Sequence, residues 1–166
     1  MKPITSSAID KVIDELDQIS DEQYEEIMEQ FTANQPVLIA YVFNDENFHL
    51  LNEDERGYLE YLALILWRSI HNAYGQLQPV SEEAIGEAEE KNYEIMENST
   101  GKHFSDRLNP FFEGYPQEDL LAFAEEAVTE DEDEPDGIIG KEAREPIFVA
   151  LKTMIDVLTA QDAPSS

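Results

Sequence analysis

With 166 residues, 38 acids against 10 bases and a formal net charge of −28, the chain is long enough for one domain with a real core, and its surface repels nucleic acid phosphates and anionic membranes. A hydrophobic fraction of 42% excludes a disordered chain, and the lack of cysteine excludes disulfides, thiol nucleophiles and cysteine-held metals. No apolar h-region marks the N-terminal stretch, and the longest uncharged apolar run, Tyr61 to Trp67, is too short to span a bilayer, so the expected location is cytoplasmic.

The periodicity predicts an all-α fold, one compact domain (1–166) of six or seven helices. Ser6 or Ser7 caps a first helix to about Ile19, with Ile9, Val12, Ile13 and Leu16 on one face. Ser20 opens a second helix, and Gln23 three residues on completes a capping box. Its acids Asp21 and Glu22 suit the positive end of the helix dipole. Pro36 to about Phe43 reads as a short third helix, because a lone strand would find no partner. Asn44 to Leu51 is a loop.

Asn52 and Glu55 then box the start of a helix that ends at Gly75. Between Tyr58 and Ile70 its only charges are Glu60 and Arg68, so it is apolar nearly all round and must be covered on most sides. Trp67, the only tryptophan, belongs at the centre of the core, packed by the last helix. Ser81 caps a polar fifth helix to about Ser99. Thr100 to Pro116 is irregular, with Phe104, Leu108, Phe111, Phe112 and Tyr115 plugging the core from outside. A sixth helix follows from Gln117 to Thr129, then an acidic tract, 130–136, expected to be solvated and mobile. The last helix starts near Lys141 and buries Ile147, Phe148, Leu151, Met154, Ile155 and Leu158. Residues 162–166 should fray.

Short words recur in the same order: YEEIME and YEIME, LIAY and LLAF, then two long apolar helices with Arg56 over Arg144. One reading is an internal two-fold repeat with halves 20–76 and 90–160, its two buried helices packed together. The other is coincidence among apolar helical words.

Three groups of side chains have the types and spacings of metal ligands. Glu46 and His49 form an E-x-x-H, the spacing of di-iron carboxylate bundles, but no second copy accompanies it. Glu83, Glu87, Glu90, Glu94 and Glu97 make a carboxylate stripe on the fifth helix. All-α nucleotide pyrophosphatases hold magnesium with such carboxylates from two facing helices, and the second helix offers Glu22, Glu25, Glu26 and Glu29. Glu132, Glu134 and Asp136 sit at EF-loop positions 1, 3 and 5, but position 12 is Ala143 where a bidentate glutamate belongs. A solvated acidic surface accounts for all three. No Gly-rich phosphate loop or nucleophile elbow occurs.

The leading expectation is a non-catalytic protein that binds another protein, plausibly a basic one, without a cofactor. Toxin-neutralising immunity proteins and nucleic-acid mimics share this charge profile, an analogy of composition. The alternative is a magnesium-dependent phosphohydrolase built on the Glu stripe, with a divalent cation as cofactor. Arg56 and Arg144 lie at the unfavourable end of their helices for a cation, so each is expected to bridge to carboxylates of a neighbouring segment.

Overall fold

The computed structural model describes residues 1–130 and 137–161. Among these the chain is all-helical: α1 (Ser6–Gln18), α2 (Asp21–Asn34), α3 (Pro36–Val42), α4 (Glu53–Tyr74), α5 (Glu82–Asn98), α6 (Phe104–Arg107), α7 (Asn109–Phe112), α8 (Glu118–Thr129) and α9 (Arg144–Thr159). Seven of these have seven or more residues; α6 and α7 are single turns inside the expected irregular segment.

Local chemistry sets the boundaries. The Ser20–Gln23 and Asn52–Glu55 capping boxes form, and each satisfies backbone donors that the first turn leaves without partners. Thr5, not Ser6 or Ser7, caps α1 by accepting from the Ala8 N–H at 3.2 Å. Gly75 ends α4 at φ 103°, a backbone conformation that side chains disfavour. Residues 141–143 form a turn, so α9 starts three residues later than Lys141.

Two helices form the core, and they pack on each other. From Ile147 to Leu158 of α9 every residue but Asp156 is buried. On α4 the buried set includes Leu59 and runs through Leu62–Trp67. Each fully buried Leu, Ile or Phe side chain contributes about 1.5–3 kcal/mol of transfer free energy. Around this pair, α5 and α8 lie along α9, α1 lies on α4 and α8, and α2 packs on α3 and α4. The proposed halves correspond to α2–α3–α4 and α5–α8–α9, but α6 and α7 interrupt the second and α8 has 12 residues against 7 in α3. The packing differs, because α5 lies along α9 whereas α2 is shared between α3 and α4. This arrangement does not establish a repeat.

Trp67 is 1% exposed. Its ring stacks on Phe31 of α2 at 5.0 Å and on His71 at 4.9 Å, and its Nε1–H donates to Asn34 Oδ1 at 2.9 Å. Two buried glutamines fasten distant segments. Gln35, fully buried between α2 and α3, accepts from the Val80 N–H at 3.0 Å and donates to Gln78 O at 2.8 Å. Gln117, 2% exposed, accepts from the Ile4 N–H at 2.9 Å and donates to Lys2 O at 3.1 Å. No helix among the described residues is long and apolar enough to cross a membrane.

Candidate functional site

Three buried polar side chains, Asn92, Lys152 and Thr153, meet where α5 packs on α9. A lysine at 5% exposure on an otherwise apolar helix needs partners, since an unpaired buried charge is very costly. Lys152 Nζ finds both Asp156 carboxylate oxygens at 2.8 Å and Asn92 Oδ1 at 3.2 Å. It also lies 4.3 Å from the centre of the Tyr115 ring, within cation–π range. Asn92, on α5, donates to Thr153 Oγ1 at 3.1 Å and to Asp156 Oδ2 at 3.0 Å. The Tyr115 hydroxyl donates to Asp156 Oδ1 at 2.6 Å.

Burial pushes the Lys152 ammonium pKa down, and the Asp156 charge acts against that. Burial and Asp156 together push the Tyr115 phenol up. Three acceptor oxygens lie within hydrogen-bond distance of Nζ, one for each proton of an ammonium. The cluster forms the floor of a pocket of about 530 Å³, whose walls include Ala88, Ile95 and Val157.

A second groove, about 550 Å³, runs between α3 and α5. Val37, Ala40 and Ile85 give it apolar surface, and Glu82 and Glu89 add charge. Tyr41 reaches across and donates to Glu89, and burial followed by that carboxylate raises its pKa. Two helices of the fold carry exposed acidic faces. Asp21, Glu22, Glu25, Glu26 and Glu29 of α2 are exposed, as are Glu83, Glu87, Glu90, Glu94 and Glu97 of α5.

The metal-ligand candidates from the sequence are not brought together. Glu46 and His49 are both exposed in a turn, and His49 Nδ1 lies 3.4 Å from the Glu46 backbone oxygen. The five glutamates of the α5 stripe face solvent, while α5 packs against α9 and α3. Glu132, Glu134 and Asp136 lie outside the described residues. Among the described residues no group of three or more His, Asp or Glu side chains could hold a metal ion.

Arg56 pairs with Asp45 of the preceding loop, Nη1 to Oδ1 at 2.5 Å, and donates from Nε to Leu51 O at 3.3 Å. It makes one contact to the carboxylate, across from α4 to the loop before it. Arg144 is half-buried on the first turn of α9. Arg68 of α4 meets Glu15 of α1 at two points, through Nε at 3.1 Å and Nη2 at 3.4 Å. Sequence periodicity points to neither Arg68–Glu15 nor the Lys152 cluster. One local signal was available: Lys152 and Asp156 stand four residues apart in a helix otherwise apolar on every side.

Comparison with protein-family models, with curated protein sequences and with solved structures returns no match for this chain.

Proposed function

We propose that the chain is a non-catalytic binding protein that engages a basic segment of another protein. The observation that carries this reading is the pair of exposed acidic faces on α2 and α5, of which only α5 carries a base, Lys91. The ion pairs Arg56–Asp45, Arg68–Glu15 and Lys152–Asp156 leave the carboxylates of both faces out. No lysine or arginine occurs from Val12 to Glu55, so α2 has no internal counter-charge. The potential of such faces accelerates encounter with a cationic partner and rejects anionic ones. The groove between α3 and α5 adds apolar surface beside that charge, which gives a partner segment a place to bury an anchor residue.

The magnesium-dependent alternative needs carboxylates from two helices converging on one ion. Here the stripe on α5 faces solvent. Neutralisation tests the binding reading. Wild-type protein and a variant carrying Glu22→Gln, Glu25→Gln, Glu26→Gln and Glu29→Gln are immobilised and challenged with the soluble proteins of the native host. A second variant carries glutamine at 83, 87, 90, 94 and 97. Basic proteins retained by the wild type and lost from the variants are the expected result. Equal retention by all three, or saturable stabilisation by magnesium that the second variant abolishes, overturns the reading.

A further inference from the structure

The ten lysines and arginines of this chain are not scattered. The sequence has none from Leu108 to Gly140, and the fold brings the bases on either side of that gap together. Lys102 and Arg107 come from the α5–α6 loop and α6; Lys141 and Arg144 come from the turn before α9 and its first residue. All four line one pocket of about 460 Å³, and His103 lines it too. Four of the ten Lys and Arg residues therefore share one cavity in a protein of net charge −28.

From this we infer a binding site for a small phosphate-bearing anion, of diphosphate size, in the pocket between the α5–α6 loop and the start of α9. Two glutamates, Glu142 and Glu145, line the same pocket, so the formal excess is two positive charges. That excess matches a ligand carrying at least two negative charges and leaves a neutral one without attraction. The overall charge does not forbid it. At physiological ionic strength charges farther than about 8–10 Å away are largely screened, so the pocket's own cations dominate over distant carboxylates.

The types of cation favour phosphate. Arg107 carries a planar fork that matches phosphate oxygens two at a time, Arg144 adds charge to the lining, and Lys102 and Lys141 supply compact charges that follow the ligand. Arg107 is positioned from behind, donating from Nε to Ser99 Oγ at 3.3 Å and from Nη2 to Met96 O at 3.1 Å. The loop carrying Lys102 and His103 lies tight on α6: a Cβ at Gly101 would come within 2.4 Å of Asp106 Cβ. The His103 N–H is held by Asp106 Oδ2 at 3.1 Å. The loop bearing Lys102 and His103 is thus held on α6, and Gly140, next to Lys141, donates its N–H to Glu55 Oε2 at 2.8 Å. The pocket has room for two linked phosphates.

The test uses the full chain and inorganic pyrophosphate, followed by the imidazole proton resonances of the three histidines and by calorimetry. Orthophosphate and citrate are the comparison anions at equal ionic strength. Saturable movement of the His103 resonances by pyrophosphate, with His49 and His71 unmoved, is expected. Orthophosphate and citrate should bind more weakly. Lys102 and Lys141 are both exposed, so Lys102→Ala with Lys141→Ala leaves the fold intact. That variant should bind pyrophosphate at least about tenfold more weakly, the effect of losing one hydrogen bond to a charged group. Arg107→Lys should weaken binding as well, because the fork is lost while the charge stays. The inference is overturned by any of three results: no saturation, movement of all three histidines together as in a general ion atmosphere, or equal affinity for citrate and pyrophosphate.

Discussion

Lys152 and Asp156, one turn apart on α9, meet with Nζ 2.8 Å from each carboxylate oxygen, and only 7% of the lysine side chain and 26% of the aspartate side chain reach solvent. The two residues depend on each other unequally. Asp156→Ala strands an ammonium in the core and should cost about 3 kcal/mol or more. Lys152→Met leaves a carboxylate that still accepts from Tyr115 and Asn92 and still touches water, so its cost should be nearer 1–2 kcal/mol. Lys152→Met with Asp156→Leu should cost less than the sum of the two single changes, with a coupling above about 1 kcal/mol. Urea unfolding of the four proteins measures this. Strict additivity would mean that the pair is not an energetic unit.

Two phenols bound to carboxylates set the alkaline limit. The folded pKa values of Tyr41 and Tyr115 are raised, by burial first and then by Glu89 and Asp156 respectively. Tyr93 is pushed up to about 12, again by burial before charge. The unfolded chain loses these protons near pH 10 while the folded chain keeps them. Their contribution is therefore complete below about pH 10 and is lost as pH rises beyond it. Lys152, with its pKa lowered, has the opposite sign just below its unfolded value of about 10.5. Comparison of variants separates the two: Tyr41→Phe and Tyr115→Phe should each flatten the alkaline fall in the melting midpoint. An unchanged slope in both would remove the phenols as its cause.

Trp67 is enclosed between Phe31 and His71, with its N–H satisfied by Asn34. Trp67→Ala should cost about 3–5 kcal/mol, the lost transfer energy plus the cavity. Asn34→Ala leaves a buried N–H without its acceptor and should cost about 1–3 kcal/mol. Native fluorescence should be that of an apolar site and should shift to a water-like maximum only on unfolding. A water-like maximum in the native protein would contradict the packing.

Charge repulsion should make stability depend on salt. With net charge −28 and exposed carboxylates crowding α2 and α5, the compact state concentrates like charge, and added ions screen it over about 8–10 Å. The melting midpoint should rise from low to moderate NaCl. Neutralising the α5 stripe should raise the low-salt midpoint and shrink that rise. A flat response would mean that the carboxylates are already balanced.

What the sequence revealed and what it hid divide by distance along the chain. Capping boxes, the Gly75 stop, the short helix after Pro36 and the all-round apolar face of α4 rest on neighbours within a turn or two, and all are present. α9 starts later than its sequence suggests because helix-forming residues at 141–143 adopt a turn instead, and Ala143 offers no side-chain cap to mark the boundary. The Lys152 cluster was hidden for another reason. Asn92 and Thr153 are 61 residues apart, and nothing local to Asn92 says that its amide will face α9. The basic pocket was hidden in the same way, since its two halves flank a stretch without a single base and become one site only in the fold.

The clasp at Gln117 bears on how the chain is made. Ile4 is separated by 113 residues from the side chain that accepts its N–H. At about 5–20 residues per second, translation leaves residues 1–4 without that acceptor for roughly 6–23 s. Over that interval Ile4, which ends up 4% exposed, has no finished groove to enter, because α8 does not yet exist. A segment synthesised early is thus secured late, and it is open to chaperones and proteases until the ribosome has passed residue 117.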